Sequence, residues 1–284
     1  MLHKHPHDLR PLAGLKIVSL AVNLPGPVAA ARLRDLGASI TKVEPPDGDP
    51  LARGCPPWYK ALHANVTLVR LNLKDPAVRE RLFPLLETAD LFLTSSRPAA
   101  LERLGLAWSE LHSRFPRLCH VAIIGHVPPH EDQPGHDLTY QASLGLVAPP
   151  HLPRALLADL GGAEEAVSTA IALLLARERG QAAQAAYVSL AETAARFALP
   201  HEFGLTSPKG LLGGGWPGYN LYQAAEGWIA VAALEPHFAD QLVRELGLAS
   251  PAHELLAHAF RGRTADEWES WAVPRDLPIV AVRD

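Results

Sequence analysis

Leu15-Lys-Ile-Val-Ser-Leu-Ala21, Pro25-Gly-Pro27, Val28-Ala-Ala-Ala-Arg-Leu-Arg-Asp-Leu36 with Gly37 behind it, and Ser39-Ile-Thr-Lys-Val43 form the stretch that decides the fold. The first segment is short and nearly all apolar, as a strand covered on both faces must be. Pro25 and Pro27 suit the first turn of a helix, where a missing N–H costs nothing, and the residues after them are apolar at helical spacing. Gly37 ends that helix, and Ser39 to Val43 returns as a second strand. Strand, helix and strand joined this closely make a right-handed crossover between parallel neighbours. The first turn carries no Gly-x-Gly-x-x-Gly, so a nicotinamide or flavin dinucleotide site has little support here.

Downstream the alternation continues. Glu44 to Ala64 is rich in proline and glycine and predicts a surface loop, and Val66 to Leu73 a strand. Asp75-Pro76 opens a helix carried by Val78, Leu82, Leu85 and Leu86. Leu91 to Thr94 and Leu118 to Ile124 read as strands, with short helices at Pro98 to Leu104 and Trp108 to Arg114. The expectation is an α/β fold, a Rossmann-like parallel sheet with helices on both faces. The Ala- and Leu-rich segments Leu160 to Arg179 and Ala186 to Leu199 predict two helices with broad apolar faces, suited to packing on the sheet or on another subunit. From Pro200 to Gly218, through Gly213-Gly-Gly, helical character is lost, which reads as a linker or a mobile lid. Residues 1–200 are thus expected to form the large domain, and 201–284 a smaller, incomplete one with a strand at Trp228 to Ala233 and helices at Pro236 to Leu246 and Asp266 to Trp271.

Composition narrows the function. With 284 residues, 48% hydrophobic and 20% charged, and a formal net charge of -4, the chain has no general attraction for nucleic acid or an anionic membrane, so its function must reside in a site. No apolar run reaches the roughly 18 residues that cross a bilayer, and the start lacks a signal-peptide core, which predicts a cytoplasmic protein with no membrane partner. Cys55 and Cys119 suit neither a disulfide framework nor a metal site, and His3, His5 and His7 read as a solvated tail, so no metal is expected.

Two groups stand out as chemistry. Gly135-His-Asp-Leu-Thr-Tyr-Gln141 and Ala158-Asp-Leu-Gly-Gly162 set an imidazole, His136, and a carboxylate, Asp159, each at the start of a helix-like run. Together they can give and take a proton, or the carboxylate alone can act as a nucleophile. The plain alternatives are a helix cap at Asp159, worth roughly 1 kcal/mol, and a polar turn at His136-Asp137.

In order along the chain come Pro11-Leu-Ala-Gly-Leu-Lys-Ile-Val18, Gly26-Pro27, Asp35-Leu-Gly-Ala-Ser-Ile-Thr-Lys-Val-Glu-Pro-Pro46, Asn72-Leu-Lys74, Ala89-Asp90, Arg97-Pro98, Leu104-Gly-Leu106, Gly135-His-Asp137, Ala158-Asp-Leu-Gly-Gly162, Tyr219-Asn-Leu-Tyr222 and Leu234-Glu-Pro-His-Phe238. In that order these pieces resemble the class III CoA-transferase family, which also contains the 2-methylacyl-CoA racemases.

The resemblance implies an acyl-CoA enzyme with no tightly bound cofactor, coenzyme A entering as part of the substrate, in a homodimer. It assigns Asp159 as the nucleophile of the transferases or, with His136, as one of two opposed bases of the racemases, and His136 tilts the expectation to racemisation. Glu235 matches an acid of the racemase site; Lys42 and Arg97 become candidates for CoA phosphates, with Asp137 and Tyr140 lining the site. CoA transfer through an aspartyl-CoA thioester is the second reading, and a catalytically silent homologue with a binding role the third. An enolate would draw donors from N–H groups where a helix starts at Gly161, and the two glycines would let substrate approach Asp159. His63-Ala-Asn-Val-Thr-Leu-Val-Arg70 stands where the family carries a basic Asn-Arg-Gly-Lys-Arg stretch, and a C-terminal segment that completes the family's large domain is expected to be missing.

Overall fold

β1 (Lys16–Ser19), β2 (Ser39–Glu44), β3 (Thr67–Arg70), β4 (Leu91–Thr94), β5 (Cys119–Ile124) and β6 (Ala185–Ser189) lie in one sheet in the order β3-β2-β1-β4-β5-β6, every pair parallel. The computed structural model describes residues 9–283; His3, His5 and His7 lie outside them. It falls into two compact units, the first ending at Phe197 and the second starting at Ala198.

The register explains why both sheet faces are covered. α1 (Pro25–Asp35) and the 22-residue α9 (Leu157–Glu178) pack on Ile17, Leu91, Leu93, Val121 and Ile123, while Val18 and Phe92, one step out of phase, face the other side. Between β2 and β3 run α2 (Leu51–Gly54) and α3 (Pro56–Leu62), and between β3 and β4 run α4 (Pro76–Arg79) and α5 (Phe83–Glu87). With α6 (Pro98–Arg103) and α7 (Trp108–Arg114), α5 closes the second face through Phe83, Leu86, Leu101 and Leu111. α8 (Asp137–Ser143) leads to α9, and α10 (Leu190–Glu202) follows β6.

In the second unit β7 (Tyr219–Gln223), β8 (Trp228–Ala232) and β9 (Ile279–Ala281) form an antiparallel sheet. α11 (Pro236–Glu245), α12 (His253–Phe260) and α13 (Ala265–Ala272) complete its core through Leu242, Leu256, Phe260 and Trp268. Among the described residues no helix is long and apolar enough to cross a membrane.

Three local readings change. Ala186 to Leu199 is not one helix: its first residues belong to β6, because β5 needs a neighbour on its open side and pairing with it outweighs the helix preference of Ala185 and Ala186. Glu44 to Ala64 lies at the surface as expected, but it carries two short helices and the buried Asp49. Leu211–Gly215 is a single wide π-type turn broken at Gly213 and Gly214, and a Cβ at Gly213 or Gly215 would collide with the backbone of Ser207 or Lys209, so this stretch is packed within its unit. The division between the two units falls within the α10 segment of the chain, upstream of the glycines.

Candidate active site

In an open parallel sheet, the crevice beyond the carboxyl ends of the strands opens where strand order reverses, here between β1 and β4. A cavity of about 290 Å³ lies there. Val22, Asn23, Ser95 and Arg97 reach it from the ends of β1 and β4, Ile124 and Gly125 from β5, and His136, Tyr140 and Asp159 from the helices beyond.

His136 occupies the residue before α8, in extended conformation. Its N–H donates to Thr139 Oγ1 at 3.0 Å, and that hydroxyl donates back to the His136 carbonyl at 2.8 Å, which fixes the start of the helix and leaves the imidazole exposed. Asp159 does not cap its helix. α9 begins at Leu157 with Leu156 before it, so Asp159 lies within the first turn. Its carboxyl is pushed up to about 6 by burial first and by the charge of Asp137 second, with His136 pulling the other way. Acid and base thus line one cavity.

Tyr140 is 4% exposed, and only glycine fits beside it: a Cβ at Gly125 would lie 2.6 Å from its hydroxyl oxygen, and one at Gly135 2.5 Å from its ring. Burial, then Asp159, raises its phenol pKa, while Arg97 opposes both, so the hydroxyl stays a donor at neutral pH. Glu131, in the loop ahead of α8, also lines the cavity and keeps a buried Oε2 that meets no donor among the described residues. Glu131 belongs to no helical or strand pattern, so nothing in its sequence surroundings marks it.

Residues 12–284 match the model of CoA-transferase family III. The chain belongs to that family. A probable fatty acyl-CoA transferase of Mycobacterium tuberculosis is 26% identical, over 97% of this chain and 86% of its own. Human alpha-methylacyl-CoA racemase is 30% identical over 84% of this chain and 65% of its own, and the succinyl-CoA–D-citramalate CoA-transferase of Chloroflexus aurantiacus 30% identical over 61% and 46%. A crystal structure of a hypothetical protein from Mycobacterium tuberculosis covers 97% of this chain and 84% of its own with a TM-score of 0.82 at 24% identity, which bears on the fold alone. CoA-transferase family III therefore includes relatives named for CoA transfer and for racemisation, both on CoA thioesters.

Within this member of CoA-transferase family III, the candidates separate by position. His136, Asp159, Tyr140 and Arg97 line one cavity. Lys42 does not join them. It is 1% exposed, bonded to Asp49, 3.3 Å from Glu44 Oε1 and 2.9 Å from His63 Nε2, and two buried carboxylates require its charge, so it is unavailable to a phosphate. Asp137 is also corrected: it is 4% exposed, accepts the Asp159 N–H at 3.1 Å and binds the Gln141 amide, so it positions Asp159 rather than lining the site. Glu235 is exposed, directly before Pro236 at the start of α11 in the second unit.

Two chemical expectations also change. The Asp159 N–H is taken by Asp137, and Gly161 lies inside α9, so that helix start offers an enolate no free donor at either residue. A Cβ on Gly161 would strike Phe197 and Thr193, and one on Gly162 would strike Leu190, so these glycines admit α10 rather than substrate.

Proposed function

We propose that this chain inverts the carbon next to the thioester carbonyl of a 2-methylacyl-CoA, with Asp159 and His136 as the proton-transferring pair. What supports this above all is an imidazole and a carboxyl of pKa about 6 lining the same small cavity. A thioester donates little resonance to its carbonyl, so the neighbouring C–H is comparatively acidic. One group takes that proton, the electron pair moves onto the carbonyl oxygen, and the other group returns a proton to the opposite face. A pKa near 6 lets Asp159 act in both directions close to neutral pH. The Tyr140 hydroxyl on the cavity lining is an O–H donor for the enolate oxygen. Arg97, exposed at the rim, takes a CoA phosphate, and coenzyme A is present only as part of the substrate. Glu235, a third acid by resemblance, a homodimer and a cytoplasmic site of action belong to the same reading.

CoA transfer is the second reading, favoured by a relative named as a fatty acyl-CoA transferase that matches 97% of the chain. There Asp159 attacks the thioester carbonyl, expelling CoA thiolate and forming an acyl-aspartyl anhydride. The thiolate then attacks the aspartyl carbonyl, which releases the acid and leaves aspartyl-CoA. In deuterated buffer, racemisation puts solvent deuterium on the 2-methylacyl-CoA with wild type and not with Asp159→Asn. No deuterium uptake, together with a hydroxylamine-trapped acyl group at Asp159, overturns racemisation in favour of transfer.

A further inference from the structure

A second cavity, of about 220 Å³, lies on the other side of the β4–α6 loop. Ser95 and Arg97 of that loop face the first cavity, and Ser96 and Pro98 face this one. The sheet register explains why the space is open. His120 and Ala122 of β5 pair with Ala185 and Tyr187 of β6, so these four share a sheet face, and the two alanines leave unfilled the volume that Leu101 and Leu111 close nearer the centre. Leu101, Leu106, Ala107 and Trp108 form the opposite wall.

The cavity has one deeply buried polar group. His120 is 4% exposed, its ring is 5.2 Å from that of Phe92 and 6.2 Å from that of Trp108, which the His112 ring approaches to 4.8 Å, and its Nε2 is 3.0 Å from Thr94 Oγ1. Its Nδ1 has no protein partner among the described residues. Burial pushes the imidazole down to about 4, so it is neutral and offers hydrogen bonding without charge. Glu102 is the one charged residue on the lining, and its sign disfavours an anion.

We infer that this cavity is a binding site for a neutral aromatic molecule of one or two rings, packed beside Trp108 and hydrogen-bonded to His120. The size agrees, since an apolar cavity of about 150 Å³ holds benzene. The occupant touches the loop that carries Arg97, yet the inference stands apart from the reaction assigned to the first cavity, because binding is read directly and not through turnover.

The test is fluorine NMR with 4-fluorophenol as probe, alongside the Trp108 indole N–H resonance of labelled protein. Expected is saturable binding between about 0.1 and 1 mM, the range open to so few heavy atoms, with a shift of the Trp108 signal. Ala185→Leu, at an exposed edge-strand position where the fold tolerates bulk, weakens binding at least tenfold. His120→Phe, which keeps the ring and removes the nitrogens, weakens it by a smaller factor, and 4-fluorobenzoate binds at least tenfold more weakly than the phenol. Absence of saturation below about 10 mM, or saturation that Ala185→Leu leaves unchanged while its amide spectrum stays native, overturns the proposal.

Discussion

Asp159 carries its own stability signature. In the unfolded chain its carboxyl titrates near 3.8, and in the fold burial and Asp137 move it to about 6, so between those values the folded state holds a proton that the unfolded state has lost. Its contribution to stability is therefore present in full below about pH 4 and fades as pH rises through about 6. Two pKa units correspond to about 3 kcal/mol, which solvent at a part-exposed side chain reduces to about 1–2 kcal/mol. Asp159→Asn lacks this penalty, and urea denaturation at pH 4.5 and 7.5 is expected to find it gaining about 1–2 kcal/mol on wild type between the two. An equal difference at both values removes the basis for a raised pKa. Lys42 and Arg97 make a contrasting pair of cations. Lys42→Met leaves Glu44 and Asp49 buried without their counter-charge, costing about 3–5 kcal/mol, whereas Arg97→Met at an exposed position changes stability by at most about 0.5 kcal/mol; chemical denaturation checks both.

Glycines decide the spacing of the elements around the site. Gly161 lets α9 and α10 approach to the distance set by Phe197 and Thr193, so Gly161→Ala overpacks the contact and is expected to destabilise by about 1–3 kcal/mol. Adding Phe197→Ala to Gly161→Ala should restore part of that loss, and a double-mutant cycle that finds simple additivity refutes the contact. The same element explains where sequence reading stops. Its helical character is plain from Ala, Leu and Val at helical spacing, but whether Gly161 and Gly162 admit a substrate or a second helix depends on what packs opposite, which periodicity along one chain does not contain. β6 was hidden for a related reason: Ala185 and Ala186 prefer helix, and only the open edge of β5 makes them strand. Asp137, by contrast, stands beside His136 in sequence yet turns to Asp159, because from the start of α8 its side chain points at the first turn of α9.

Across the whole molecule, the β-α-β opening and the ordered motifs were enough to reach a parallel sheet and its family, because buried strands and first-turn prolines leave local marks. Strand order, and with it the crevice between β1 and β4, emerges only from pairing between distant segments, which is why Ser95, Glu131 and Asn23 joined the site only in three dimensions. That crevice leads to a test of the complete chain. A ligand that binds only folded protein stabilises it by about 2.7 kcal/mol at 100 times its Kd, and each kcal/mol moves Tm by about 2–4 °C for domains of 150–250 residues. A matched 2-methylacyl-CoA at that excess should therefore raise Tm by about 5–10 °C. If Arg97 holds a CoA phosphate through a charged hydrogen bond worth about 1.5–3 kcal/mol, Arg97→Met at the same ligand concentration keeps less than half of that rise. A full rise in the variant dismisses Arg97 as a phosphate contact, and no rise in wild type with any acyl-CoA dismisses the thioester reading itself.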